Sequence, residues 1–219
     1  MSTMSSTKTL SVEESRGALW RLQAVFFRPG SAFTDIDRKP TWAQPLLAAG
    51  LVCEAEMYVF YSPKHTPFGF LASFLLAAIP VLLSVTVSAG CFWLALCIKG
   101  GETSFKKVFA VFAHSFFMYT VITKVLTAAV FFSSSDPSRI DPRNVVASNP
   151  GFLVSSKDHL ALEFLLSSFD LVVFYHLFII TLGLSIVTRR ISFKSAMWLT
   201  IAIYALYVGI EVAIKAAVA

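Results

Sequence analysis

The stretch from Phe68 to Ile98 reads FGFLASFLLAAIPVLLSVTVSAGCFWLALCI and contains no charged residue. At about 1.5 Å per residue, a helix of this length exceeds the roughly 30 Å thickness of the bilayer's hydrocarbon core. Pro80 lies near its middle, which predicts a tilted or kinked helix. The stretch therefore predicts a membrane-spanning helix, and the rest of the chain can be interpreted from it.

The composition of the whole chain agrees with a membrane protein. Of its 219 residues, 56% are hydrophobic and only 14% are charged, whereas soluble domains average about 25% charged residues. The three cysteines lie inside apolar runs, where a thiol behaves as a small hydrophobic group and no disulfide framework is indicated. A soluble globular class is therefore excluded.

The apolar runs predict an all-α, polytopic membrane protein with a five-helix transmembrane bundle. We divide the chain into a cytosolic N-terminal segment, residues 1–40, and a five-span transmembrane domain, residues 41–219. Glu54 and Glu56 interrupt the first span. The predicted spans are Trp42–Tyr61, Phe68–Ile98, Val108–Phe132, Glu163–Val187 and Ser195–Val218.

The distribution of basic residues predicts the orientation. Of the 18 lysines and arginines, twelve precede the first span or lie in the loops between spans two and three and between spans four and five. Only five lie on the opposite side. Because short cytoplasmic loops carry the excess of Lys and Arg, the N-terminus is predicted in the cytoplasm and the C-terminus outside. The net charge of +5 then reflects topology and anionic headgroups, and nucleic acid is not predicted as a partner.

An amphipathic helix is predicted before the first span. Ser11 and Glu14 have the spacing of a capping box, and Pro29-Gly30 ends the helix. Leu19, Leu22 and Phe26 recur at helical spacing, which is typical of a helix in the membrane interface. A helix docked on the protein's own cytosolic face fits the same pattern. In the interfacial interpretation, the residues that contact lipid headgroups are Arg16, Arg21 and Arg28.

Several motifs, in order along the chain, resemble a known family. Near the N-terminus stands Phe27-Arg-Pro-Gly-Ser-Ala-Phe-Thr-Asp-Ile36, followed by Pro40 and Pro45-Leu-Leu. Further on come Asn149-Pro-Gly-Phe-Leu, Asp170 with Phe174, Gly183-Leu-Ser and Ser192-Phe-Lys-Ser-Ala. Together they resemble the Yip-one domain family, the Ypt/Rab-interacting membrane proteins and their bacterial relatives, from about Phe26 to Val218.

The resemblance implies five spans and a membrane location. The family's eukaryotic members are associated with Rab GTPases through a longer cytosolic segment with an Asp-Leu-Tyr-Gly-Pro motif, which this chain lacks. It is therefore similar to the prokaryotic-type branch, which implies the cytoplasmic (inner) membrane of a prokaryote and no settled activity. Rab binding is not implied.

Five ionisable residues lie at a shared depth inside the predicted spans. Charged groups there are costly, by about 2.5–3.5 kcal/mol on insertion scales, so each needs a partner, water or a role. Counted from the cytosolic ends, they all fall in the outer half of the bilayer. We predict an intramembrane polar cluster around Lys124, with Glu54, Glu56, Asp170 and Glu211.

Two interpretations of this cluster remain open. In the structural one, Lys124 pairs with one or two carboxylates to fix helix register, and Glu211 pairs with Lys215 on its own helix. In the other, the cluster lines a hydrated cavity that binds an ion or small solute. Glu54 and Glu56 are two residues apart, so at most one is expected to point inward.

The remaining polar residues indicate no chemistry. His114 and His176 are candidate inner polar residues, and interhelical hydrogen bonds are favoured over a metal because the spacing supplies too few ligands. No catalytic, cofactor or metal motif is recognisable. Asp170 has no second Asp with which to form an intramembrane protease site. Small residues give no Gly-x-x-x-Gly pair, so no oligomeric state is predicted.

These observations favour a non-enzymatic integral membrane protein. It would act by membrane organisation or by partner binding, and its partners would be the lipid bilayer and a protein at the cytosolic face. The alternative is a small channel or transporter that uses the polar cluster, and an intramembrane enzyme ranks third.

Overall fold

The computed structural model describes residues 17–60, 67–134, 149–154 and 159–218. These residues form α-helices and one short 3-10 helix, Pro150–Leu153, which confirms the all-α prediction for this part of the chain. The helices are α1 (Ala18–Phe27), α2 (Pro29–Arg38), α3 (Ala43–Phe60), α4 (Pro67–Ile98), α5 (Phe105–Ser133), α6 (Leu160–Ser167), α7 (Leu171–Val187) and α8 (Phe193–Val218).

Helices that could cross a membrane coincide with the predicted spans. Among the described residues, 3 helices are long and apolar enough, within α4, α5 and α8. The pair α6 and α7 passes the same test as one unit and brings the number up to 4. The helix α3 overlaps the first predicted span, contains Glu54 and Glu56, and does not pass. The membrane character is thus confirmed, and the count of five stays a prediction.

The predicted fourth span is not one continuous helix. Its chain is bent by 53° between α6 and α7, so the prediction of an uninterrupted Glu163–Val187 helix is wrong. The reason is local capping, because the Asp170 carboxylate accepts hydrogen bonds from the amides of Val172 and Val173, at 2.7 and 3.1 Å. A side chain that satisfies the free amides of a first turn starts a new helix.

The core of the molecule lies at one end of the bundle. In α5, every residue from Val108 to Ser115 is buried, whereas none from Val121 to Ser133 is. The buried half is surrounded by α1, α2, α3, α4 and α7. The bundle is therefore tightly packed near the start of α5 and open near its end.

The helices α1 and α2 dock on this packed end. Val25, Phe33 and Ile36 are fully buried, and the rings of Phe26 and Phe117 meet at 5.8 Å. A Cβ added at Gly183 would lie 2.5 Å from Val111 Cγ1 of α5 and 3.1 Å from the Phe33 ring, so the glycine lets α5 and α2 approach α7 closely. Of the two interpretations of the N-terminal helix, the docked one describes α1. Its predicted start at Ser11 lies outside the described residues.

Candidate functional site

A buried arginine joins α1 to the chain that follows α2. The Arg21 guanidinium donates from Nε to Asp35 Oδ2 at 2.5 Å. Its Nη1 donates to the carbonyl oxygen of Lys39 at 3.1 Å and to Thr41 Oγ1 at 2.9 Å. Arg21 is only 2% exposed, so its predicted contact with lipid headgroups is wrong. The fixed fork of guanidinium donors suits this set of acceptors.

Further ion pairs join helices and loops at the same end. Lys107 Nζ, in the first turn of α5, lies 2.5 Å from Asp37 Oδ1 of α2. In the loop before α5, Glu102 exchanges two backbone hydrogen bonds with Arg189, each 3.1 Å, and its carboxylate pairs with Arg190 at 2.8 Å. The basic residues that predicted the orientation therefore also cross-link the packed end.

The exposed face of α1 and its C-terminal end carry apolar side chains. Leu19 is 77% exposed and Phe27 is 85% exposed, with Gln23 between them on the same helical face. Arg28 follows and is also exposed. Arg16 lies outside the described residues. Leu19, Phe27 and Arg28 form a surface that we call the α1 platform.

At the open end, Lys124 of α5 pairs with one of its predicted partners. Its Nζ lies 2.5 Å from Glu56 Oε2 of α3. The Lys124 side chain is 33% exposed, whereas that of Glu56 is 9% exposed. The pair is thus asymmetric, with a covered carboxylate and a cation that is partly accessible.

Glu54 has a different partner on a different helix. It is 5% exposed and accepts a hydrogen bond of 2.9 Å from Ser73 Oγ of α4. The expectation that only one of Glu54 and Glu56 would point inward is wrong. Because α3 packs against both α4 and α5, two directions on its surface are covered, and each glutamate uses one of them.

The Asp170 side chain stabilises the break between α6 and α7. Besides capping α7, its Oδ2 accepts a bond of 3.2 Å from Asn149 Nδ2. The Tyr204 hydroxyl of α8 donates to the carbonyl oxygen of Ser168 at 2.8 Å, which holds the other side of the break. Asp170 therefore has a structural role in shaping the bent pair.

Glu211 and Lys215 do not form the predicted pair on α8. Lys215 Nζ instead lies 5.0 Å from the centroid of the Phe164 ring of α6, and no ion pair joins the two side chains in the described part of the helix. A cation over an aromatic face is an electrostatic alternative to a carboxylate. The contact joins α8 to α6.

The two histidines are covered by the bundle but not joined by hydrogen bonds between helices. His114 Nδ1 lies 2.8 Å from the carbonyl oxygen of Ala110 on its own helix. The His176 ring stacks on Tyr119, with ring centroids 4.9 Å apart, and its Nε2 is buried with no hydrogen-bond partner among the described residues. The expectation of interhelical bonds is therefore wrong for both. No group of three or more His, Cys, Asp or Glu that could hold a metal occurs within residues 17–60, 67–134, 149–154 and 159–218.

Sequence reasoning missed several partners of these residues. Asp35 and Asp37 lie in a segment that was interpreted from its basic residues alone. Two acidic residues in a basic segment indicate ion pairs with the basic residues, so these partners could have been predicted. Ser73 and Asn149 gave no comparable pattern, because a neutral side chain in an apolar run or a turn has many possible roles.

Comparison with known proteins gives one finding on the family. A family model described as the Yip1 domain matches residues 24–213. No curated protein and no solved structure matches the chain.

Proposed function

Because the chain belongs to the Yip1 domain family, we propose that it is a non-catalytic integral membrane protein that acts by membrane organisation or by binding a protein partner. The contact would be made by the α1 platform on the cytosolic side. We further propose five spans, with α3 as the first and the bent α6 and α7 as the fourth. The N-terminus would be cytoplasmic, and the protein would belong to the prokaryotic-type branch in the inner membrane.

The distribution of charge supports this topology. The ion pairs of Lys107 with Asp37 and of Arg190 with Glu102 lie at one end of the bundle, together with most of the basic residues. Charged loops stay in water, whereas the apolar surfaces of α4, α5 and α8 face lipid. The helix α3 can cross as well because both of its glutamates have partners on neighbouring helices.

The observation that carries the functional proposal is the exposure of Phe27 on a rigidly docked helix. The neighbouring Arg21 fixes α1 against the bundle, so the 85% exposed Phe27 side chain is held outward and does not collapse onto the protein. An exposed apolar side chain beside an exposed arginine fits the headgroup region of a membrane or an apolar depression on a partner.

Site-specific labelling tests this proposal. In a background with Cys53, Cys91 and Cys97 replaced by Ala, Phe27→Cys is labelled with the fluorophore NBD and reconstituted in vesicles that contain nitroxide-labelled phosphatidylcholine. Thr34→Cys, at an exposed polar position of α2, is the matched control. Stronger quenching at position 27 than at position 34 is expected for membrane contact.

Photo-cross-linking tests whether the α1 platform contacts a protein partner. A benzophenone amino acid at position 27, irradiated in native membranes, is expected to form a protein adduct that is absent with the same group at position 34. If position 27 is neither quenched more than position 34 nor cross-linked to a protein, the α1 platform has no contact and the proposal is wrong.

One observation favours the alternative of a small channel or transporter. The bent pair α6 and α7 is a discontinuous helix at the depth of the polar residues, and broken helices form ion sites in many transporters. Asp170, however, is already engaged by two backbone amides and Asn149. Flux of a monovalent cation into vesicles that Asp170→Asn abolishes would favour the alternative over the α1 platform.

A further inference from the structure

An apolar groove runs between α3 and α4. It encloses about 620 Å³, within the range of about 300–1,000 Å³ that is usual for small-molecule sites. Small residues contribute to the space, because Ala49, Ala77 and Ala78 carry only a methyl group. The Phe74 ring packs over Gly50, where an added Cβ would lie 2.7 Å from it. Other residues on its walls include Trp42, directly before α3, Leu46 and Cys53 of α3, Phe74 and Leu82 of α4 and Phe116 of α5.

The two ends of the groove differ in chemistry. Trp42 lies at one end, half-exposed and in ring contact with Phe109 at 5.5 Å. Glu54 lies at the other end, with its carboxylate turned to Ser73. Along α3 the distance between them is about 18 Å at 1.5 Å per residue. One leaflet of the hydrocarbon core is about 15 Å thick, so the groove has the length of one leaflet.

The mouth of the groove faces the hydrocarbon region. Leu75, Ile79 and Leu82 line the groove and are exposed on the surface of α4, and α4 is one of the helices apolar enough to cross the membrane. Its occupant therefore comes from an environment made of lipid chains. A tryptophan at one end is typical of the boundary between headgroups and chains.

Two exposed lysines lie close in sequence to residues at the Trp42 end. Lys39 is exposed three residues before Trp42. Lys106 is exposed one helical turn before Phe109, on the same side of α5. Each lysine near a membrane surface contributes about 1 kcal/mol of attraction to anionic lipid. A negative headgroup is therefore favoured at this end over a neutral one.

We propose that the groove holds one acyl chain of an anionic phospholipid from the leaflet on the Trp42 side, with the headgroup near Lys39. The apolar walls contact the chain, and Glu54, Ser73 and Phe74 close the groove where the chain ends. This site is distinct from the α1 platform, so either proposal can fail without the other.

The test uses dioleoyl phosphatidylglycerol as the probe. The delipidated full chain in mild detergent is titrated with this lipid and analysed by native mass spectrometry. A saturable adduct with one lipid per chain is expected. Ala78→Phe fills part of the groove and is expected to weaken the adduct about tenfold. This effect corresponds to displacing about two methylene groups of the acyl chain from the groove. Leu76→Phe, on the exposed surface of α4 outside the groove, is the matched control and is expected to bind as the wild type does.

A second measurement does not depend on the folding of Ala78→Phe. With Trp20, Trp93 and Trp198 replaced by Phe, the remaining Trp42 reports on the groove in vesicles. Phosphatidylglycerol brominated on its acyl chain is expected to quench Trp42 in a saturable way at low mole fraction. Lys39→Gln is expected to reduce the preference for phosphatidylglycerol over phosphatidylcholine about fivefold.

Three results would overturn the proposal. The first is equal binding of phosphatidylglycerol and phosphatidylcholine by the wild type. The second is an unchanged adduct in folded Ala78→Phe together with non-saturable quenching of Trp42. The third is a dimer mass that Ala78→Phe abolishes and Leu76→Phe preserves, because it would assign the groove to a second copy of the chain.

Discussion

The two ends of the bundle each contain a cation 2.5 Å from a carboxylate, yet the two pairs differ in their surroundings. At the packed end, the Arg21 side chain is 3% exposed, and it also bonds to the Lys39 carbonyl and Thr41. At the open end, the Lys124 side chain is 33% exposed and pairs with Glu56. The Arg21 side chain is therefore nearly buried with three acceptors, whereas the Lys124 side chain is a third exposed.

This difference shows which charges fix the fold and which remain available. A buried arginine with several acceptors cannot leave without exposing a carboxylate to an apolar interior, so it acts as an anchor. Lys124 has one carboxylate partner and is a third exposed, so fewer contacts fix its position. The packed end therefore positions α1 and α2, whereas any exchange with solute or water would take place around Lys124.

The largest effect is expected from breaking the anchor. Arg21→Met leaves the Asp35 carboxylate unpaired at a nearly buried position, and the expected loss is about 3–5 kcal/mol in the free energy of unfolding. Titration with SDS, followed by circular dichroism, measures this loss. Arg28→Met is the control, since Arg28 is exposed, and it should shift the midpoint little.

A double substitution sharpens the interpretation of that result. Asp35→Leu combined with Arg21→Met removes both charges, so most of the lost stability should return. If the double variant is as unstable as Arg21→Met, the loss comes from the bonds to Lys39 and Thr41 and not from the unpaired carboxylate. The comparison between the two ends would then rest on hydrogen bonding alone.

A smaller effect is expected at the open end. Lys124→Met removes one ion pair, whereas Arg21→Met also removes the bonds to Lys39 and Thr41. The expected loss is therefore smaller, about 1.5–3 kcal/mol for one hydrogen bond to a charged group. Lys124→Arg keeps the charge and should retain most of the stability in the same SDS titration. A loss as large as that of Arg21→Met would remove the distinction between the ends. Folded Lys124→Met with altered solute binding would instead favour a hydrated cavity.

The sequence predicted the spans because long apolar runs leave few alternatives, but it could not predict rotation about each helix axis. Depth along the helix placed Glu54, Glu56 and Asp170 together as possible partners of Lys124. Only the packing of α3 against both α4 and α5 separates Glu54, which bonds to Ser73, from Glu56, which pairs with Lys124. Hydropathy is an average along the chain and carries no information on which neighbour covers a given side.

Arg21 shows the same limit at the packed end. Its spacing on α1 fits a snorkelling side chain as well as a buried one, because burial depends on α2 folding back across it. The partner Asp35 lies 14 residues further on, beyond the local patterns of a single helix. The exposed position of Phe27 was likewise decided by docking, since its neighbour Phe26 packs inward against Phe117.

The break before α7 could have been predicted from the residues themselves. The sequence Ser167-Ser-Phe-Asp170 precedes an uninterrupted apolar run, and Ser or Asp before such a run is a common helix start. The apolar character of both flanks favoured a single span, and Asp170 was interpreted as a buried charge. The structure shows that a carboxylate between two apolar helices can accept hydrogen bonds from the amides of the helix that follows it.

The smallest effect is expected at this cap. Asp170→Ala removes the acceptor for the amides of Val172 and Val173, and loss of an N-cap costs about 1 kcal/mol. Hydrogen exchange at these two amides should accelerate about fivefold, which corresponds to that free energy. Asp170→Asn keeps a side-chain oxygen and should retain most of the protection. Equal exchange in Asp170→Ala and the wild type would mean that packing around Ser168 and Tyr204 stabilises the break and that the carboxylate does not. The shape of the open end would then depend on contacts between helices, as the shape of the packed end does.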